Sequence, residues 1–167
     1  MLNRGLLLAG IIIVLDQISK NWIVEVLMRP EGASSTPFFT ARRIELLPFF
    51  DLVMAWNRGV SFGIFNNGGQ WNAVILSVLS VAVCVGLVIW MRKAEKPYLA
   101  LALGSIVGGA LGNVIDRVRW GAVADFLDVH VAGYHWPAFN LADSAITIGA
   151  AVLVLDSLFA RSNSDKN

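Results

Sequence analysis

Three carboxylates near the C-terminal end of the chain lie among aromatic and aliphatic residues, where burial makes a charge costly. Asp125 and Asp128 stand in the stretch ADFLDVHV (124–131), and Asp143 precedes the apolar run AITIGAAVLVL (145–155). Two carboxylates that lie close together cannot both ionise easily, so they share one proton and titrate as a pair. Such a pair can hold a water molecule, deprotonate it as it attacks a carbonyl, and protonate the departing amine. This chemistry, which aspartic peptidases use, needs neither a metal nor another cofactor.

Other catalytic groups have weaker support in the sequence. His130 and His135 could bind a metal in principle, but no HExxH or comparable spacing is present, so we expect loop histidines and no metal. A serine–lysine mechanism would need Lys20, which lies in an apolar segment and has Asp16 beside it. Cys84 is the single cysteine, so no intramolecular disulfide can form, and we expect it to be a buried structural thiol.

Several other polar residues stand within apolar segments and need a partner or a function. Asp16 and Lys20 are four residues apart with the acid first, which is the favourable order for a pair on one helical face. The pair either neutralises itself and fixes its helix against a neighbour, or it contacts a substrate directly. Asn140 is a good helix N-cap and Asp143 can complete a capping box, so capping alone would explain these two residues.

The composition is that of a membrane protein. Hydrophobic residues make up 56% of the chain and charged residues 15%, whereas soluble domains contain about 45–50% and about 25% respectively. The formal net charge of +1 gives no reason to expect binding to nucleic acid. The N-terminus has the positive charge and apolar stretch of a signal peptide without a small-residue cleavage motif, so we expect an uncleaved first membrane helix.

Four segments reach the roughly 20 helical residues that cross a hydrocarbon core of about 30 Å. An even number of spans places both termini on the same side of the membrane. The predicted transmembrane helices cover about 6–28, 71–91, 98–114 and 142–160.

The side of the membrane on which each loop lies is predicted from charge. The positive-inside rule gives most weight to short loops, and the turn RKAEK (92–96) holds three basic residues in five positions. We therefore place the loop 92–97 and both termini in the cytoplasm, and the long loops 29–70 and 115–141 outside. Asp156, deep in the last span, is expected to approach the cytoplasmic interface.

The first long loop contains the apolar-rich run RIELLPFFDLVMAWN (43–57), with Pro48 as a break, which predicts short strands. We expect these strands to form a small extracytoplasmic β-rich domain that lies on the membrane. The predicted fold is a single polytopic membrane domain, 1–167, mainly α, with four transmembrane helices. Since the third span leaves the membrane on the face where the fourth re-enters it, Asp125 on their connection can meet Asp143.

Four motifs, in this order along the chain, make the sequence resemble the lipoprotein signal peptidases (signal peptidase II), and the four-span plan of that family covers the whole chain. One departure is Val60, where alanine is more often expected, so local loop packing can differ. The matching stretches are DQISK (16–20), WNRGVSFG (56–63), GNVIDRVRWGAVADF (112–126) and FNLADSAITIG (139–149).

The resemblance implies an aspartic endopeptidase of the bacterial inner membrane, with its active site at the periplasmic face. Such an enzyme removes the signal peptide from prolipoproteins that carry diacylglycerol, cutting on the N-terminal side of the lipidated cysteine. The implied catalytic pair is Asp125 and Asp143, without metal or cofactor. The implied supporting residues are Asn57, Gly59, Asn113, Asp116, Arg117, Asn140, Asp16 and Lys20.

The resemblance also implies partners and explains where the acids lie. The expected partners are the lipidated precursors, membrane lipids and the inhibitor globomycin, and we expect a monomer. Because a substrate with acyl chains cannot leave the bilayer, its scissile bond stays near the interface, and the acids must lie there too.

Two other classes of protein fit the composition. A proton-coupled transporter or channel would place ionisable residues at several depths along a path, whereas most of the acids are expected here at one membrane face. A non-catalytic scaffold that binds lipoproteins would keep its function after the loss of either acid of the pair.

Overall fold

Long apolar stretches of the chain form helices, and a small sheet forms from stretches rich in aromatic and β-branched residues. The structure is a computed structural model that describes residues 1–32, 42–59 and 71–164. The helices are α1 (Leu2–Trp22), which continues as a π-helical turn (Ile23–Leu27), α2 (Asn72–Arg92), α3 (Pro97–Trp120) and α4 (Leu141–Ser164). The strands are β1 (Ile44–Leu47), β2 (Phe50–Asn57), β3 (Val123–Val131) and β4 (Tyr134–His135).

Four helices in the described part of the chain are long and apolar enough to cross a membrane. Their outer surfaces are aliphatic; on α2, for example, Val78 and Leu79 are 65% and 59% exposed. Such surfaces are stable where lipid replaces water. The fold class of four apolar helices with a small antiparallel sheet is confirmed. The candidate spans are Leu2–Leu27, Asn72–Arg92, Pro97–Trp120 and Leu141–Phe159.

Helix α3 is the central helix and packs against α1, α2 and α4. Glycines bring the helices close together: a Cβ atom on Gly104 would lie 2.3 Å from the carbonyl oxygen of Gly5 in α1. A Cβ atom on Gly109 would lie 2.3 Å from the carbonyl oxygen of Ala142 in α4. Small residues at such crossings allow the backbone contact that drives helix association in lipid.

Helix α3 runs further than the sequence predicts. The predicted span ends at 114 and the predicted loop begins at 115, whereas the helix continues to Trp120 and closes on Gly121, whose φ of 74° suits a glycine. The reason is that Asp116 and Trp120 at this end of the helix do not face solvent. Asp116 is fully buried and Trp120 is 8% exposed, so both side chains find partners inside the protein and the helix has no cause to stop before them.

The sheet stacks on the end of α1 and α3 where the polar residues gather. Its order is β1-β2-β3-β4 with antiparallel neighbours, so strands of the first long loop pair with strands of the second. Strand pairing places Ala55 opposite Asp125 and Asn57 opposite Val123. An apolar core beneath the sheet joins it to the helices and contains Val24, Met28, Met54, Trp120 and Phe126.

Candidate active site

One asparagine amide contacts the carboxylate of Asp125 and the backbone of Asp143, the two acids of the predicted pair. Asn140, fully buried at the start of α4, donates from Nδ2 to Asp125 Oδ1 at 2.7 Å. Its Oδ1 accepts the backbone N–H of Asp143 at 2.9 Å. Since Asp125 lies on β3 and Asp143 in the first turn of α4, this amide joins the sheet to the helix at the position of the two carboxylates.

The capping box predicted from the sequence is present as well. The backbone N–H of Asn140 donates to Asp143 Oδ2 at 3.3 Å, which completes the reciprocal pair of bonds. Capping occupies only one carboxylate oxygen of Asp143. The other, Oδ1, accepts a hydrogen bond from Asn113 Nδ2 at 2.8 Å. Asp143 therefore caps helix α4 with one carboxylate oxygen and contacts Asn113 with the other.

Asp125 has a second amide partner at the end of β2. Asn57 Nδ2 donates to Asp125 Oδ2 at 3.1 Å, and Asn57 Oδ1 accepts the backbone N–H of Gly59 at 3.1 Å. The N–H of Gly59 fixes the orientation of the Asn57 amide, because an oxygen must face that donor. Residues 60–63 of the WNRGVSFG motif lie outside the described residues.

The surroundings of Asp125 favour its protonated form. Asp125 is 3% exposed, and burial, followed by the negative charge of neighbouring Asp143, raises the pKa of Asp125 to about 8. The hydrogen bonds from Asn57 and Asn140 act in the opposite direction but do not cancel this rise. Burial of Asp125 and the charge of Asp143 therefore favour a pair that shares one proton at neutral pH, which is the state that activation of water requires.

Arg117 brings a cation with an unused donor to the same place. Its guanidinium donates to the carbonyl oxygen of Gly59 at 3.2 Å and to that of Asn113 at 3.5 Å, and it lies within electrostatic reach of Asp125 and Asp143. Its Nε is buried and has no hydrogen-bond partner in the described structure. Buried donors are nearly always paired in a finished site, so this atom is available to a bound ligand.

Two clefts meet at Asp143. The first, of about 350 Å³, has a polar end formed by Asn57, Asn113, Arg117 and Asp143. Its remaining lining is mostly aliphatic and comes from α2, α3, α4 and the start of β3, with residues Leu76, Leu79, Ser80, Val83, Ile106, Ala110, Val123 and Ile146. The second cleft, of about 490 Å³, lies on the other side of Asp143, and its lining includes Trp136, Phe139, Ser144, Thr147 and Ile148.

The pair Asp16–Lys20 lies beneath the acids and not in a cleft. Both side chains are fully buried, with Lys20 Nζ 2.8 Å from Asp16 Oδ2 and 2.8 Å from Asp116 Oδ2. Direct contact with a substrate, one of the two interpretations of this pair, is therefore disfavoured. Gln17, which the sequence reasoning missed, donates to Asp116 Oδ1 at 2.9 Å. The sequence feature that could have identified Gln17 is a polar amide next to Asp16 within a mainly apolar helix.

Asp128 does not join the other acids. It forms an ion pair with Arg43 at 2.7 Å, and its Oδ2 lies 2.8 Å from His135 Nδ1, on the other face of the sheet. Burial raises the pKa of Asp128, but the hydrogen bonds from His135 and Arg43 outweigh burial and lower that pKa overall. The physical reason for the separation is strand alternation, since residues three apart on β3 point to opposite faces.

The remaining polar candidates lie away from the acids. His130 Nε2 is 3.2 Å from Asp51 Oδ2, and its ring stacks on that of His135 at 4.8 Å. No group of three or more His, Cys, Asp or Glu side chains in the described ranges is arranged to hold a metal ion. At the opposite end of the helices, Asp156 accepts from Lys96 Nζ at 2.9 Å and from the Tyr98 hydroxyl.

Comparisons with known proteins agree with this architecture. The family model described as Signal peptidase (SPase) II matches residues 8–159. The lipoprotein signal peptidase of Methylorubrum extorquens is 44% identical over 156 residues, which cover 93% of this chain and 86% of that protein. The lipoprotein signal peptidase of Methylobacterium radiotolerans is 42% identical over 164 residues, which cover 98% of this chain and 91% of that protein.

Two solved structures, each described as a bacterial membrane enzyme obtained by the in meso method, share the fold. One has a TM-score of 0.79 at 28% identity and covers 95% of this chain and 90% of its own. The other has a TM-score of 0.74 at 29% identity and covers 92% of each chain. Because the family model and these relatives extend over nearly the whole chain, the chain belongs to the signal peptidase II family and is a multi-pass bacterial membrane peptidase.

Proposed function

We propose that this peptidase is an aspartic endopeptidase that removes the signal peptide from diacylglyceryl-modified prolipoproteins, cutting on the N-terminal side of the lipidated cysteine. The observation that carries the mechanism is the joining of Asp125 and Asp143 through the single amide of Asn140. The raised pKa of Asp125, about 8, supports a pair that holds one proton at neutral pH. The substrate class is supported by the relatives, which are lipoprotein signal peptidases.

The two acids exchange roles during the reaction. The carboxylate of Asp143 takes a proton from water as the water oxygen attacks the scissile carbonyl carbon, and Asp125 gives its proton to the carbonyl oxygen. The resulting tetrahedral diol is neutral. Asp143 then passes its proton to the amine nitrogen as the carbon–nitrogen bond breaks, and the diol returns a proton to Asp125 as the acid product forms. Each acid ends in its starting state.

Arg117 and Asn57 are placed to hold the peptide over the acids. The unpaired Nε of Arg117 and its proximity to the acids suit a donor to a substrate carbonyl. A fixed donor here stabilises the transition state most if it points at the substrate carbonyl oxygen, where negative charge develops. Asn57 keeps the protonated Asp125 in place from the opposite oxygen.

The two apolar clefts suit a substrate that is apolar on both sides of the scissile bond. Because both clefts include Asp143, a peptide that crosses the acid pair extends from one cleft into the other. One side of such a substrate is the apolar stretch of the signal peptide, and the other carries the acyl chains. Membrane lipids cover the aliphatic surfaces of the helices and fill the clefts between substrates.

The orientation in the membrane follows from the same function. We place both termini and the loop 92–97 in the cytoplasm, and the acid pair at the periplasmic face, as a single polytopic domain that acts as a monomer. Support comes from the basic turn, whose Lys96 pairs with Asp156 at the end of α3 and α4 opposite to the acids. A transporter would need a path of ionisable residues between these two ends. Asp16 and Lys20 lie directly beneath the acids and pair with Asp116, and the described stretch of α4 between Asp143 and Asp156 carries no ionisable residue.

The experiment that tests the proposal is cleavage of a lipidated precursor by the purified protein in nanodiscs. Released signal peptide is measured by mass spectrometry, with and without globomycin. We expect cleavage before the lipidated cysteine, inhibition by globomycin, and no cleavage of the same precursor without its diacylglyceryl group. Cleavage at another bond, or equal cleavage of the unlipidated precursor, would contradict the proposed substrate class.

A further inference from the structure

Lys20 has the geometry of a structural hub and not of a group that meets substrate. Its ammonium has three N–H donors. Three acceptors lie within reach: Asp16 Oδ2 at 2.8 Å, Asp116 Oδ2 at 2.8 Å and Asn113 Oδ1 at 2.9 Å. The side chain is fully buried, so no donor remains for water or a peptide. Lys20 therefore acts on the acids through these three partners and through its charge, which lowers the pKa of Asp125.

Each carboxylate held by Lys20 in turn holds the backbone next to one acid of the pair. Asp16 Oδ1 accepts the backbone N–H of Ala142, which precedes Asp143, at 3.0 Å. That N–H is one of the unpaired donors in the first turn of α4. Asp116 Oδ2 accepts the backbone N–H of Ala124, which precedes Asp125, at 3.2 Å. One lysine thus connects the backbone at one acid to the backbone at the other.

Lys20 determines which atom of its third partner, Asn113, faces Asp143. Since an ammonium accepts no hydrogen bond, the atom of Asn113 that faces Lys20 Nζ must be oxygen. Asn140 Nδ2 donates to the same oxygen at 3.2 Å, which excludes the flipped amide a second time. The Asn113 amide nitrogen is therefore turned toward Asp143 Oδ1, to which it donates at 2.8 Å.

We propose that Lys20 is a positioning residue that sets the separation of the two catalytic acids through Asp16 and Asp116, and fixes the hydrogen bond to Asp143 by orienting the amide of Asn113. The proposal rests on the proposed function, since it assigns a role only if Asp125 and Asp143 perform the chemistry. It explains why a charge is kept in a fully buried position, where the desolvation of an ion pair commonly offsets its attraction. The charge of Lys20 holds Asp16, Asp116 and Asn113 in fixed positions beside the acids.

The test uses two variants that remove different parts of this arrangement. Lys20→Met combined with Asp116→Asn deletes one positive and one negative charge, so the buried cluster keeps its net charge but loses its central donor. Asn113→Leu keeps the ion pairs of Lys20 with Asp16 and Asp116 and the side-chain shape. It removes the donor to Asp143 and one of the three acceptors of Lys20. The matched control is Lys96→Met, which breaks the ion pair at the opposite end of the helices.

We expect both test variants to lower kcat by about 100-fold, the scale of loss when catalytic groups are slightly misplaced, with KM nearly unchanged. The acidic limb of the kcat profile moves to higher pH, because the acid pair has lost support for its ionised form. Lys96→Met retains kcat and its pH profile. Thermal unfolding in detergent shows which variants are folded.

Wild-type kcat, a change confined to KM, or a loss of kcat without a shift of the pH profile would overturn the proposal, since a purely structural lysine predicts these results. If the charge-balanced double variant does not fold, Asn113→Leu decides, because it keeps the ion pairs of Lys20 with Asp16 and Asp116 and removes the amide that Lys20 orients. Active Asp125→Asn and Asp143→Asn variants would reject the proposed function itself, which keeps the two failures distinguishable.

Discussion

At the scale of single residues, the structure separates acids that the sequence treats alike. Asp125 and Asp128 are 3% and 5% exposed, yet only Asp125 faces Asn140. We expect Asp125→Asn or Asp143→Asn to reduce cleavage by several orders of magnitude, and the double variant to be little worse, because the pair acts as one unit. Asp128→Asn is the matched control and retains the rate. The measurement is precursor cleavage by folded variants in nanodiscs.

A near-normal rate in either Asn variant of the pair would remove the aspartic mechanism. A rate in Asp128→Asn as low as in Asp125→Asn would show that burial of an acid in the sheet, and not contact with the other acid, accounts for the loss.

The raised pKa of Asp125 predicts a pH dependence of both rate and stability. Because its proton is needed for catalysis, cleavage falls as the pH rises through about 8. The folded-state pKa lies above its ordinary value, so the stability that this group contributes is present at low pH and is lost as the pH rises through about 8. Cleavage rates and unfolding temperatures measured from about pH 6 to about pH 9, a range that brackets the pKa of about 8, test this prediction.

In Asp125→Asn the corresponding loss of stability with rising pH should be absent. An unfolding temperature that falls equally in wild type and variant would assign the pH dependence to another group.

Arg117 differs from the neighbouring Arg119 in what its guanidinium contacts. Arg117 bonds two backbone carbonyls beside the acids, whereas Arg119 bonds Asn21 and covers the ring of Trp120. We expect Arg117→Lys to lose most activity although the charge is kept, since a lysine cannot reproduce the planar set of donors. Arg119→Lys keeps the activity. Equal rates for the two variants would show that Arg117 contributes only charge.

At the scale of elements, the approach of α1 to α3 depends on glycine. A Cβ atom at Gly104 would lie 2.3 Å from the Gly5 carbonyl oxygen, and backbone cannot yield easily. Gly104→Ala should therefore destabilise the fold by about 1–3 kcal/mol, the usual cost of overpacking. At Gly86 in α2 nothing lies within 4 Å, so Gly86→Ala should be neutral or stabilise by about 0.5–1 kcal/mol. Unfolding in detergent measures both, and equal effects would contradict the close crossing.

Some of these helices and strands could be predicted from the sequence, and others could not. The four helices follow from apolar stretches long enough to cross a bilayer, and β2 follows from its aromatic and apolar run. The second long loop offered no such pattern: Val123, Ala124, Asp125 and Phe126 are all buried, so the alternation that marks a half-exposed strand is missing from β3. Without β3, the sequence could not predict that Asp125 and Asp128 point to opposite faces.

At the scale of the whole molecule, the orientation in the membrane remains a prediction that a thiol-labelling experiment can test. Cys84→Ser gives a background without cysteine. Tyr134→Cys, at a position 85% exposed in the β3–β4 hairpin, should react with an impermeant maleimide in intact spheroplasts. Glu95→Cys in the basic turn should react only after the membrane is broken. Tyr134 is preferred to Gly133, whose φ of 82° would strain a cysteine. The reverse pattern would place the acids in the cytoplasm.

The sequence by itself predicted most residues of the candidate site and determined that the chain is a four-helix membrane protein. It could do so because membrane spans depend on local apolar length, and because the acids and asparagines stand in recognisable local motifs. The capping box at Asn140 and Asp143 is likewise local, with both partners three residues apart.

Only the tertiary structure decided how the polar residues are paired. Lys20 meets Asp116 and Asn113, and Asp16 meets the backbone of Ala142, across separations of more than ninety residues. Such pairings follow from which helix faces pack together, and each buried polar group takes whatever partner that packing brings. Spacing along the chain gives no information on it. For this reason the sequence left the role of Lys20 open, and the structure places it beneath both acids.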